Sequence, residues 1–331
     1  MKTLLLTTGE KDIEEAGRIL RNGGLVAFPT ETVYGLGANA LDPAAVKAVY
    51  DAKGRPSDNP MIVHISAEDE LPTVVAEVPE KAKVLMKAFW PGPLTMVFRK
   101  SEAVPMRTTG GLDTVGIRMP SSEVARALIK AAGVPIAAPS ANLSGKPSPT
   151  NYKDVLEDMD GRIDAVIEGE PCAVGIESTV LDLTGEVPTI LRPGYVTKEM
   201  LEDVLAERVD YDRALLEKSK GGETLRPRSP GMKYKHYSPN ADVKIIAGAA
   251  DKVAVKIKEI RTEAEAAGRK VAVIDYGEDS ESAARGFFSE LRELDRQGFD
   301  VVLVSALDEK GLGFSVMNRM VRSAGYDIIE A

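Results

Sequence analysis

Lys53 and Arg55 stand two residues apart in KGRPSDNP (53–60), directly after a segment with helical spacing. Such a pair could hold phosphate groups. Cations just past a helix C-terminus also complement the helix dipole, so spacing alone leaves both roles open. The run PSANLSGKPSPT (139–150) follows an apolar stretch and offers Ser140, Asn142, Ser144 and Ser148. Hydroxyls and backbone N–H groups in loops at strand ends suit phosphate and ribose, although a Ser/Pro loop is more commonly a turn-rich surface. Arg118 interrupts the apolar run GIRMP (116–120). A guanidinium there needs solvent or an anionic partner, and its planar fork matches a carboxylate through two parallel bonds. His64, within MIVHI (61–65), falls among apolar neighbours, the usual setting of a core histidine. ESTV (177–180) and LRPG (191–194) set Ser178 and Arg192 at strand edges.

Several familiar chemistries are excluded. No GxxxxGK[ST] phosphate loop occurs, and SGKPS (144–148) imitates only its end. GLGANA (35–40) fits GxGxxA, but its nearest helix starts at Asp42 and not inside the glycine turn that a dinucleotide site requires. There is no GxSxG, and two distant histidines make no hydrolase triad.

The elements that must position these residues can be read from patterning. Apolar runs at LVAF (25–28), MIVHI, LTMVF (94–98) and TVGIRM (114–119) are predicted strands. Further strands are expected at 135–140, AVIEGE (165–170), STVLDL (178–183) and TILRPG (189–194). Asp42, Pro43 and Gly54 supply the N-cap, first position and stop of one helix, Ser122 and Gly133 repeat the logic in a second, and a third ends near Ala206. Residues 1–206 are therefore one mixed α/β domain. Residues 207–239 form a linker, in which 218–239 carries three prolines and six Lys/Arg against one Glu. Residues 240–331 alternate strands and helices, which predicts a small open sheet with parallel pairs.

The chain has 331 residues, enough for two cores, and 44% hydrophobic with 28% charged residues is ordinary globular composition. One cysteine, Cys172, excludes an internal disulfide framework. With only His64 and His236 besides, a Cys/His zinc site is not expected. These features point to a cytoplasmic setting. The N-terminal apolar run is three leucines, too short for a signal-peptide core, and no later run has spanning length. A net charge of −9 disfavours nucleic acid or an anionic membrane as a partner of the whole molecule, so anionic ligands need a local basic pocket.

Taken in order, PTETVYGLG (29–37), KGRP, the HI of MIVHI, GIRMP, APSANLSG (138–145), ESTV and LRPG resemble the YrdC-like family of threonylcarbamoyl-AMP synthases. SPGMKYKHYSP (229–239) and GLGFSVMNRM (311–320) are similar to the lid and C-terminal domain of its longer form. The resemblance implies an α/β fold: a mixed twisted sheet for the catalytic domain, plus a small open, Rossmann-like C-terminal domain. It implies a nucleotidyltransfer. Threonine's amine captures carbon dioxide as a carbamate, whose oxygen attacks the α-phosphate of ATP and expels pyrophosphate. The implied threonine pocket is Thr32, His64, Arg118, Ala138 and Ser178. The implied ATP side is Lys53, Arg55, Asn59, Thr114, Ser140, Asn142, Ser148, Arg192, His236 and Tyr237, with Lys53 and Arg55 as the catalytic pair. Mg²⁺ is expected through the ATP phosphates, with no dedicated protein ligands. Expected partners are ATP, L-threonine, bicarbonate, a downstream complex that transfers the group to a tRNA adenosine beside the anticodon, and weak tRNA contact at most; no membrane is involved.

Two other readings are weaker. A double-stranded RNA or tRNA-binding module of the same fold conflicts with the charge of −9 and the scattered basic residues. A carbamoyl transferase would bring cysteine-rich modules that this chain lacks. The C-terminal domain has no glycine fingerprint, and support or lid control is the expectation for it. Residues 227–239 mix prolines and aromatics with Lys/Arg, as a lid over an anion would, and not as a passive Gly/Ser tether.

Overall fold

The computed structural model describes residues 2–216 and 237–331, which divide into two compact units. The first takes in residues 2–144 and 149–216; the second takes in 145–148 and 237–331.

Eleven strands build the first unit: β1 (Leu4–Leu6), β2 (Val26–Phe28), β3 (Gly35–Asn39), β4 (Ile62–His64), β5 (Leu94–Arg99), β6 (Thr114–Arg118), β7 (Ile136–Ala137), β8 (Ala165–Ile167), β9 (Thr179–Asp182), β10 (Thr189–Arg192) and β11 (Asp210–Tyr211). They form one mixed sheet in the order β1-β8-β2-β3-β7-β4-β6-β5-β9-β10-β11. Strands β2 to β10 are buried almost throughout, which is why they read as apolar runs without strict alternation. Leu94, Met96, Phe98, Val63 and Ile117 fill one core, while Phe28, Ile136, Leu20, Leu128 and Ile129 fill another. The sheet runs on past residue 206: β11 pairs in parallel with β10, and Val209 is fully buried.

The helices end where local chemistry stops them. Pro43–Lys53 begins with the Asp42 side chain accepting from the Ala44 N–H at 2.8 Å and ends at Gly54, whose φ of 61° is left-handed. Glu123–Ala132 is capped by Ser122 and stopped by Gly133 in the same way. It packs on Glu10–Arg21 so closely that a Cβ on Gly17 would lie 2.7 Å from the Ala131 carbonyl carbon. The GLGANA run forms β3 and not a phosphate turn. A Cβ on Gly37 would sit 2.9 Å from Ile136, so this glycine serves sheet packing.

In the second unit, β12 (Asp242–Ala247), β13 (Val271–Ile274), β14 (Val301–Ser305) and β15 (Ile328–Glu330) are all parallel, in the order β13-β14-β12-β15. Phe287, Phe288 and Leu291 on the helix Ser280–Arg296 are buried. From the same helix, Arg292 donates through Nε and Nη2 to the Pro147 carbonyl at 3.1 and 2.6 Å, and the ring of Tyr237 lies 5.0 Å from that of Phe288.

Candidate active site

Strand register lays the candidate residues in a row across the first sheet. His64 on β4 is the direct partner of Arg118 on β6. Thr95 on β5 lies one residue beyond the Met96–Ile117 pair, and so comes opposite Arg118. Ser178 precedes β9, whose Thr179 pairs with Leu94, and Arg192 on β10 pairs with Val180. Ala138 follows β7 at the other end and donates its N–H to the Ile62 carbonyl at 2.9 Å. Residues distant in sequence are thus brought side by side by strands, which hold them more firmly than loops would.

Arg118 is 4% exposed, so its charge must be answered inside the protein. Its Nη1 donates to Thr32 Oγ1 at 2.9 Å, its Nε donates to the Gly92 carbonyl at 3.3 Å, and its Nη2 lies 2.7 Å from Glu31 Oε1. The anionic partner expected from the sequence is therefore Glu31, which pattern reasoning did not name. Burial by itself would raise the Glu31 carboxyl, but the adjacent Arg118 charge holds it below the ordinary carboxylate range. The loop carrying both partners is shaped by Thr30, whose hydroxyl donates to the Val33 carbonyl at 2.6 Å and meets the Thr32 hydroxyl at 2.9 Å. Val174 and Gly175 N–H groups bind the Glu31 and Thr32 carbonyls and pin that loop.

His64 is buried edge-on against Phe28. Burial, helped by the positive charge of Arg118, pushes its imidazole down to about 3, so it is neutral at physiological pH. Its Nδ1 has no partner at good hydrogen-bond geometry, although the Ile136 and Ile62 backbone lies close to the ring.

At the other end of the row, Ser178 Oγ meets Thr95 Oγ1 at 2.8 Å and accepts from Arg192 Nη2 at 3.1 Å. Arg192 also donates Nε and Nη2 to the Ser178 carbonyl at 3.1 and 2.9 Å. The implied threonine pocket and the implied phosphate side therefore meet at one hydroxyl. Thr114 lies on the same face of β6 as Arg118, and Gly116 between them leaves room for Thr95, whose Cγ2 would be 3.1 Å from an added Cβ.

Lys53 ends its helix 3% exposed, with Nζ donating to the Ser140 carbonyl and, at 2.6 Å, to that of Asn142. The lysine thereby braces the 140–142 loop, where Ser140 Oγ donates to Asn142 Oδ1. Arg55 reaches the Pro60 carbonyl at 3.1 Å. Asn59 is completely buried, yet neither its Oδ1 nor its Nδ2 has a partner. Buried amide groups are rarely left unmet, which sets Asn59 apart from its neighbours. Ser148 and Tyr237 belong to the second unit, both buried, and His236 lies outside the described residues, as does most of the 227–239 segment.

Burial pushes the Cys172 thiol up to about 12, so it is no thiolate nucleophile. Among the described residues, no three His, Cys, Asp or Glu side chains are grouped to hold a metal ion. No helix of the described residues is long and apolar enough to cross a membrane. What the row offers is fixed positive charge, hydroxyls and neutral imidazole: equipment for orienting anions, without a covalent nucleophile.

Residues 18–194 match the family described as "Telomere recombination", and residues 196–325 match "Threonylcarbamoyl-AMP synthase, C-terminal domain". The threonylcarbamoyl-AMP synthase of Pyrococcus abyssi is 48% identical, over 99% of this chain and 99% of its own. That of Bacillus subtilis is 43% identical, over 98% and 96%. The crystal structure of P. abyssi Sua5 complexed with L-threonine superposes with a TM-score of 0.94 at 47% identity, covering 99% of this chain and 100% of that one. Aligned end to end with such relatives, the chain belongs to the threonylcarbamoyl-AMP synthase family in its two-domain form.

Proposed function

We infer that this chain is a nucleotidyltransferase that joins L-threonine, carbon dioxide or bicarbonate, and ATP into threonylcarbamoyl-AMP and pyrophosphate. The observation that carries this reading is the buried row His64, Arg118, Thr95, Ser178 and Arg192, which sets two guanidiniums among hydroxyls and a neutral imidazole. Arg118 and the Thr32 hydroxyl hold the threonine carboxylate. Neutral His64 and Ser178 address its polar groups, and Ala138 closes the wall. Lys53, Arg55 and Arg192 face the triphosphate, with Asn59, Thr114, Ser140 and Asn142 around the nucleotide.

The chemistry suits this equipment. Carbamate, triphosphate and the pentacovalent α-phosphorus that links them are all anionic, so preorganised cations stabilise the transition state more than the ground state. Holding the carbamate oxygen in line with the α-phosphate turns a bimolecular encounter into a positioned one. Mg²⁺, held mainly by phosphate oxygens, would neutralise charge on the leaving pyrophosphate. The protein would act in the cytoplasm and supply a downstream transferase complex that modifies a tRNA adenosine next to the anticodon, with at most weak tRNA contact of its own.

The test is incorporation of labelled bicarbonate into an adenylate that carries both threonine and AMP. Label recovered in that species only when all three substrates are present is the expected result. Tight tRNA binding without any such product would refute the reading in favour of an RNA-binding module.

A further inference from the structure

Glu31 lies outside every role assigned above except as the partner of Arg118. We propose that Glu31 is the ammonium-recognising residue of the threonine pocket, and that the Glu31–Arg118 pair selects a zwitterion over a simple carboxylate. The proposal rests on Arg118 being the carboxylate clamp.

Four observations carry it. First, the pair is buried, with side chains 11% and 4% exposed and 2.7 Å apart, and the neighbouring His64 is neutral, so the site's own charges cancel. A net-neutral buried site favours a net-neutral guest, whereas Arg118 by itself would favour any anion. Second, both Glu31 oxygens are shut off from water, with Arg118 and the backbone N–H groups of Glu31 and Ser121 beside them. A carboxylate has about four acceptor positions, so one is left for an ammonium donor. Third, the cavity of about 620 Å³ on the far side of Glu31, which none of the threonine-pocket residues lines, has Glu168 and Glu170 but no lysine or arginine in its wall, so no second cation competes with Arg118 for the Glu31 carboxylate from that side. Fourth, the Glu31 backbone is fixed by the Val174 N–H at 2.8 Å, so the carboxylate is held in place before any ligand arrives. An α-amino acid bound through its carboxylate on Arg118 carries its ammonium two bonds from that carboxylate. The same guanidinium's other neighbour is Glu31.

The experiment measures, by calorimetry, the affinity of the full-length protein for L-threonine and for (R)-3-hydroxybutanoate, which keeps the carboxylate, hydroxyl and methyl of threonine but has no amine. Glu31→Gln should weaken threonine roughly 10- to 100-fold, the worth of one charge-assisted contact. The same change should leave 3-hydroxybutanoate unchanged or bind it more tightly. Equal losses for both ligands would mean that Glu31 only steadies the guanidinium and would overturn the proposal, as would unchanged threonine affinity. Arg118→Ala separates the underlying reading: if it spares both ligands, Arg118 is not the clamp and the pocket assignment itself fails. Thermal melting checks that each variant is folded. Should Glu31→Gln not fold, Glu31→Asp, which keeps the charge but withdraws it by one methylene, must lower threonine affinity selectively for the proposal to stand.

Discussion

Replacing Lys53 by Met keeps the side-chain volume and removes its donors. In the structure Nζ binds the Ser140 and Asn142 carbonyls from a position 3% exposed, and the Lys53 carbonyl accepts the Ser144 N–H at 2.9 Å. Loss of the ammonium orphans two carbonyls in a buried loop. Each costs about 1–3 kcal/mol, so Lys53→Met should destabilise the first unit by ~2–6 kcal/mol. The bracing contacts add a folding cost to the phosphate role that the resemblance implies for Lys53. Urea denaturation should show a lower midpoint at an unchanged slope, because the buried area is preserved. Threonine-dependent pyrophosphate release, measured well below the new midpoint, should fall further than the folded fraction does. Lys53→Arg should not rescue it, since a planar fork cannot place donors as an ammonium does. A Lys53→Met protein with the wild-type midpoint and wild-type pyrophosphate release would refute both the bracing and the phosphate role.

Other outcomes follow from the same geometry. Arg118→Lys should weaken threonine binding by calorimetry, because a point charge cannot replace the fork that meets Thr32, Gly92 and Glu31 at once; unchanged affinity would make Arg118 a structural ion pair only. His64 titrates near 3 when folded against about 6.5 unfolded, so the unfolded chain binds the extra proton between those values. Stability linked to His64 is therefore complete above pH ~6.5 and declines as pH falls towards 3, at up to about 1.4 kcal/mol per pH unit, and His64→Gln should flatten the urea midpoint over that window. A chain ending at Leu225 keeps β11 and Val209 and should fold, bind threonine nearly normally, and release or hydrolyse its adenylate early if residues 227–239 form a lid; full activity with full product retention would eliminate the lid.

The sequence was most legible where a local signal decides the structure. Asp42, Pro43 and Gly54 mark one helix and Ser122 and Gly133 another, because caps are short-range chemistry. The strands of the buried sheet were legible as Val/Ile-rich runs. Elements without such runs escaped: β3 is spelled GLGAN and is a strand only because Phe28 and Ile136 pack onto its glycines. The helix Tyr152–Met159 does carry a local signal, Asn151 accepting the Asp154 N–H as its N-cap, whereas the two-residue β11 depends on pairing with β10. At the site, Arg118 announced its need for an anion, but nothing local pointed to Glu31, since β6 and the loop after β2 meet only in the folded protein. Thr95 was invisible for the same reason: a threonine in a β-strand is unremarkable until the register sets it against Ser178.

The central claim is that one site couples threonine to ATP. Pyrophosphate release by the full-length protein, followed with threonine and bicarbonate each present or withheld, tests it most directly. Release is expected only when both accompany ATP, in a one-to-one ratio with threonylcarbamoyl-AMP. Pyrophosphate released at the same rate without threonine would contradict it.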